Sequence, residues 1–186
     1  MRKYELTEET KTLADGTVLH RIRALMDISR YGVNAGDIGG WIEAESNLSQ
    51  DDDAWVSDYA RVYGNARVCD DAVVRGDARV YGNAVVYGNA VVRGDARVYG
   101  GALVNGNAEV KSIRDYAVFK NGWSSGRWFT YTRSNRMWRV GCFHGTGEEL
   151  IAKAYKDSEL SGKCYEAIVR AQEAIDKAIE EAKEAK

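Results

Sequence analysis

Alanine and valine alternate with polar residues through the middle of the chain on a fixed beat of six. Valine occupies positions 56, 62, 68, 74, 80, 86, 92, 98, 104 and 110, and alanine stands two residues before each one, from Ala54 to Ala108. Most intervening steps read Gly-Asn or Gly-Asp, as at Gly64-Asn65, Gly76-Asp77, Gly82-Asn83, Gly88-Asn89, Gly94-Asp95 and Gly106-Asn107. Residues two apart on a strand point to the same side, so Ala and Val face inward together and the neighbours of Val face out. Glycine followed by Asn or Asp tolerates positive φ and turns the chain. A strand this short cannot bury a core alone and must stack on copies of itself, which predicts a solenoid. An antiparallel meander would not keep so strict a period.

The unit V-x-G-(N/D)-A-x resembles the hexapeptide repeat of left-handed parallel β-helices, in which three hexads make a triangular coil of roughly 18 residues. The stretches "LHRIRALMDI" (Leu19–Ile28) and "VNAGDIGGWIEAESNLSQDDDAWV" (Val33–Val56) resemble phage and bacterial hexapeptide proteins of the uncharacterised, polymer-forming type. The segment Gly122–Leu150 resembles a module that follows the repeats in phage-encoded members. The resemblance implies a mainly β fold: a left-handed parallel β-helix of at least three coils with N-terminal cap strands, a C-terminal β-hairpin and α-helices. It also implies a homotrimer, and carries no uniform biochemical role.

The expected division is cap strands over 1–37, β-helix over 38–121, hairpin module over 122–147 and helices over 148–186. "KYELT" and "TVLHRIRALMDI", joined at Asp15-Gly16, read as strands that cap the first coil. Leu48 precedes the valine ladder by eight residues, which predicts a short loop over Leu48–Ala54. Asp51–Asp53 lacks the spacing of a calcium loop and reads as a solvated turn. "RWFTYTR" and "RMWRVGCF" alternate around "SNR" as a hairpin. Thr146 and Glu149 form a capping box for a helix, and after "SELSGK" a second helix runs from Tyr165 to Glu184. Its Ile168, Ile175 and Ala182, with Ala171, Ala178 and Ile179, form a seam for packing on the prism or on symmetry mates.

Composition narrows the partners. With 26 basic against 28 acidic residues the net charge is −2, too little positive field for bulk nucleic acid. Nineteen glycines and no proline suit many tight turns whose backbone donors are all needed in ladders. Cys69, Cys142 and Cys164 have no metal-binding spacing and read as reduced thiols. The first residues hold no apolar signal segment and no run reaches membrane-spanning length, so a soluble, cytoplasmic protein with no membrane partner is expected, in the host cytoplasm if phage-encoded.

On coils of this period the outward residues form columns. One face stacks Arg61, Arg79 and Arg97 beside Tyr63, Tyr81 and Tyr99. A second stacks Val73 and Val91 with Arg75, Arg93 and Lys111. The third carries Arg67, Cys69, Val85, Tyr87, Leu103 and Asn105. Outward Val73, Val85, Val91 and Leu103 need a cover, from partner subunits or the C-terminal helix. Rings and guanidinium groups at Arg79, Tyr81, Arg97 and Tyr99 can grip a flat anionic ligand, or they can cover a sheet and make subunit contacts. Trp123, Ser125, Arg127, Tyr131, His144 and Thr146 form a second polar-aromatic cluster, either a Trp-rich hairpin core or a pocket in which helix amides cap a phosphate.

Catalysis has little to work with. Two histidines, His20 and His144, cannot supply a three-histidine zinc site, and no histidine lies between residues 21 and 143 to serve as the base of a hexapeptide acyltransferase. No cofactor is expected. The reading is a non-catalytic homotrimeric binder of a small anionic nucleotide-type ligand, with a phage protein that sequesters an immune signal as its setting. The alternatives are a phage structural or oligomerisation module and an acyltransferase-like enzyme.

Overall fold

The computed structural model describes residues 2–184. Strands β1 (Tyr4–Thr12) and β2 (Val18–Ala24) form an antiparallel hairpin that turns at Asp15 and Gly16. Strand β3 (Ile38–Ile42) pairs antiparallel with β2 and opens the solenoid. Ten two-residue strands follow: β4 (Trp55–Val56), β5 (Arg61–Val62), β6 (Arg67–Val68), β7 (Val73–Val74), β8 (Arg79–Val80), β9 (Val85–Val86), β10 (Val91–Val92), β11 (Arg97–Val98), β12 (Leu103–Val104) and β13 (Glu109–Val110). They stack as three parallel ladders, β3-β5-β8-β11, β4-β7-β10-β13 and β6-β9-β12, with Leu48 bridged to Val68 beneath the third. The result is a four-coil parallel β-solenoid whose Ala and Val ladder is fully buried.

The one break in period is physically legible. Leu48 pairs with Val68, two residues further on than the Val68–Val86 step above it, and the bend at Asp51–Asp53 absorbs the extra pair. Lys3 ties that bend to β1, its Nζ donating to the carbonyls of Asp51 and Asp52 at 3.0 and 3.1 Å. Asp58 and Asp70 stand where later coils have glycine, at φ 57° and 55°. Their carboxylates repay the strain, accepting from the Gly76 and Gly88 amides one coil above, both at 2.9 Å.

Burial pulls the Lys3 ammonium down to about 8, against the opposing attraction of Asp53, Asp52 and Asp51. The unfolded chain holds that proton to about 10.5, so folding releases a proton between the two values and stability rises with pH across that window. Above pH 10 buried tyrosines reverse the trend, since Tyr116, pushed up to about 12 by burial, keeps its proton longer folded than unfolded. The urea midpoint is expected to rise from pH 7.5 to 9.5, and Lys3→Met to flatten the rise. A flat wild-type profile would contradict the assignment.

The expected C-terminal hairpin is the centre of a four-stranded antiparallel meander: β14 (Tyr116–Lys120), β15 (Trp128–Thr132), β16 (Met137–Val140) and β17 (Phe143–Gly145). Helices α1 (Gly147–Asp157) and α2 (Glu159–Glu184) pack on it. Its two faces do different work. Tyr116 and Val118 pack on the solenoid core, while Phe129, Tyr131, Trp138 and Val140 build a second core with Leu150, Ile151 and Val169. The last coil's edge amides are capped at this junction. Thr130 Oγ1 accepts from Leu103 N at 2.8 Å, Ser134 Oγ from Glu109 N at 2.7 Å and Asp115 from Lys111 N at 2.8 Å.

Three expectations change. "SELSGK" is helical apart from Ser158, and Gly162 lies inside α2, where an added Cβ would stand 2.2 Å from the Tyr155 ring. Glycine here permits the close crossing of α1 and α2. The helix fully buries Gly162, Val169 and Gln172; of the expected seam Ile168 packs on the second core, while Ile175 is left 48% exposed. The cover over Val73 and Val91 is the chain's own segment: Tyr31 and Val33 pack there, anchored by Arg30 to Asp71 at 3.3 Å.

Candidate functional site

The stacking of like on like makes one face chemically distinct. Coil register places Arg61, Arg79 and Arg97 directly in line. Beside them the rings of Tyr63 and Tyr81 stack at 5.2 Å and 3°, and those of Tyr81 and Tyr99 at 5.3 Å and 13°. That separation is close to the natural spacing of adjacent strands, so the backbone itself sets the rings in offset stacks. Burial, and next to it the neighbouring Tyr81, push the Tyr63 hydroxyl above its ordinary range. Among the described residues, Arg61, Arg79 and Arg97 have no carboxylate partner, whereas Arg93 on the next face pairs with Glu109 at 2.6 Å. Three unpaired guanidinium groups in a column attract anions.

The ladder ends in open space. Gly64 and Gly82 each lie under the backbone of the next glycine, at 3.3 and 3.1 Å from where a Cβ would be, but among the described residues nothing beyond its chain neighbours lies within 4 Å of where a Cβ on Gly100 would be. The chain has left the coil path, and a cavity of about 300 Å³ opens above Tyr99, walled by Ile113, Tyr116 and Trp128. Trp128 lies flat across Gly101, where any Cβ would meet its ring at 2.5 Å. The Lys120 ammonium sits 5.6 Å from the Trp128 ring. A second cavity adjoins through Ile113 and is lined by Asp95, Arg97, Ser112 and Arg114.

The other expected cluster is dispersed. Trp123 packs against Phe129 and Tyr165, at 6.1 and 6.0 Å between rings, as part of the second core. Tyr131 is buried against Trp138, and its hydroxyl donates to Asp176. That carboxylate also holds Arg133 at 2.9 Å and Gln172 at 2.8 Å, in the wall of a cavity of about 320 Å³ between the sheet and α2. Ser125 and Arg127 are exposed on the loop before β15, with Arg127 lying over Gly141. Thr146 caps α1: its hydroxyl accepts from Glu149 N at 3.3 Å while the Glu149 carboxylate accepts from Thr146 N at 2.8 Å. The Thr146 amide that was to help hold a phosphate thus donates to the chain's own carboxylate. His144 faces the solenoid over Gly106, opposite Arg139, and away from Trp123.

Of the expected site residues, Arg79, Tyr81, Arg97 and Tyr99 are brought together. Ile113, Arg114 and Tyr116 were missed as lining residues. Their only signal in the chain is that the six-residue beat stops after Val110, which leaves the top of the ladder uncovered.

Among the described residues no group of three or more His, Cys, Asp or Glu is placed to hold a metal ion, and no helix is long and apolar enough to cross a membrane. Residues 60–76 and 78–94 match the family described as YdcK Beta solenoid repeat. A curated relative is the uncharacterized acetyltransferase YdcK of Escherichia coli (strain K12), 37% identical over 82 residues, which cover 37% of this chain. The match takes in 24% of that relative, so the chain spans about a quarter of its length. The hexapeptide-type β-solenoid read from the repeats is therefore found both in the ladders and in the family match.

Proposed function

We propose that this β-solenoid is a non-catalytic binding protein for a small planar anion of nucleotide type, received on the face that carries Arg61, Arg79 and Arg97 beside Tyr63, Tyr81 and Tyr99. The observation that carries the reading is the pairing of an in-register aromatic stack with guanidinium groups that no carboxylate among the described residues neutralises. Aromatic rings and arginine planes recognise bases through stacking, and guanidinium forks recognise phosphate. Assembly as a homotrimer, and sequestration of a nucleotide signal by a phage-encoded protein, belong to the same proposal.

Thermal-shift measurements with cyclic nucleotides and ADP-ribose derivatives test it. Binders are expected to raise the melting temperature and to be recovered unmodified after heat denaturation. Arg97→Ala and Tyr99→Ala should each weaken binding about tenfold, the scale of one lost charge-assisted contact or base stack. No shift with any member of the panel would sink the reading.

A second reading, acyl transfer, is favoured by the similarity to a protein described as an acetyltransferase and by the position of His144 on the solenoid-facing side of β17. Acetyl transfer from acetyl-CoA that His144→Ala abolishes would establish it instead.

A further inference from the structure

The geometry points to the vacant place above Tyr99 as the seat of the ligand: a planar heteroaromatic ring takes the position of a fourth rung, and its anionic group lies in the adjoining cavity between Arg97 and Arg114. This inference rests on the binding function proposed above and adds where the ligand sits and what its two ends must be.

Four observations converge there. The tyrosines stack at near-equal steps from Tyr63 through Tyr81 to Tyr99, and among the described residues no further aromatic ring stacks on Tyr99, which lines the cavity instead. The space above it is ring-sized and mostly apolar, closed at the sides by Ile113, Tyr116 and Trp128. Tyr99, Ile113 and Trp128 are 42%, 52% and 41% exposed, three large apolar side chains in one small patch, which solvent alone does not favour. The neighbouring cavity holds two guanidinium groups, Arg97 and Arg114, neither of which has a carboxylate partner among the described residues.

Asp95 shares that second cavity and narrows the ligand class. A carboxylate repels a second anion but accepts from a hydroxyl, so the ligand carries a neutral donor besides its one anionic group. A ring, a hydroxylated part and a single anion together describe a nucleoside monophosphate unit, free or as part of a larger nucleotide. Trp128 and Lys120 form a cation–aromatic pair at the ring end, which fixes the Trp128 plane as a wall.

Calorimetric titration with AMP, adenosine and ribose 5-phosphate separates the parts. AMP is expected to bind at least tenfold more tightly than either fragment. Trp128→Leu and Arg114→Ala should each weaken AMP by about tenfold, while Arg75→Ala, exposed on the neighbouring face, should leave it unchanged. Circular dichroism of each variant guards against a folding defect, and Arg114 is exposed and free of packing duties. If Tyr63→Ala and Tyr81→Ala weaken binding and the cavity variants do not, the ligand lies along the ladder; the seat is then wrong and the binding function stands. A nucleotide from the wider panel that binds with no sensitivity to Trp128→Leu or Arg114→Ala has the same meaning. Failure of AMP and of every panel member to bind overturns both.

Discussion

Gly88→Val is expected to cost the solenoid at least about 3 kcal/mol, or to prevent its folding outright. Gly88 holds φ at +67°, and a Cβ there would stand 3.0 Å from the Gly106 amide nitrogen and 3.4 Å from its Cα. Both obstacles are backbone, so neither can rotate away. A β-branched residue adds its own penalty in the left-handed region, about 1–2 kcal/mol before any clash. The comparison with Gly100→Ala isolates the terms. Gly100 has φ +68° but open space above, so only the conformational cost, about 1 kcal/mol, is expected. Urea unfolding of the two variants measures the gap, and equal losses would show that coil-to-coil contact at the turns contributes nothing.

Phe129→Ala is expected to remove about 3–5 kcal/mol from the C-terminal module. Phe129 is fully buried, in a three-ring cluster with Tyr165 at 4.7 Å and Trp123 at 6.1 Å. It sits in the second core, separate from the Ala and Val ladder. The near-ultraviolet circular dichroism, in which Trp123, Trp128 and Trp138 report the module beside Trp41 and Trp55 of the solenoid, should therefore lose part of its amplitude at a lower temperature than the far-ultraviolet β signal. A single transition that moves as a whole would mean that the capping bonds from Thr130 and Ser134 couple the two cores into one unit.

The solenoid was legible because its interactions are local and repeated. A strand two residues long leaves no ambiguity about which side chain points inward, and a period of six, taken three at a time, aligns Tyr63 with Tyr81 and Tyr99 without knowledge of anything else. The capping box at Thr146 was legible for a related reason, since its partners lie within one turn of helix. The same box misled the functional reading. Thr146 and its amides look available in the chain, and only the side-chain direction of Glu149 shows them satisfied.

Gly162 and the segment Ser29–Val33 were hidden for a different reason. A glycine in "SELSGK" looks like a helix breaker until Tyr155 is seen to need the space above it. Tyr31 and Val33 look like loop residues until the apolar column of Val73 and Val91 is seen beneath them.

Sequence alone determined the coil, its buried Ala and Val ladder, the three outward columns and the aromatic stack, because each follows from backbone geometry and a period read along one dimension. The tertiary structure decided where the ladder ends, what covers its valines, which cluster stays scattered and where a ring-sized space opens above Tyr99. Those features depend on segments far apart in the chain meeting at the solenoid's last coil, where the repeat no longer specifies what comes next.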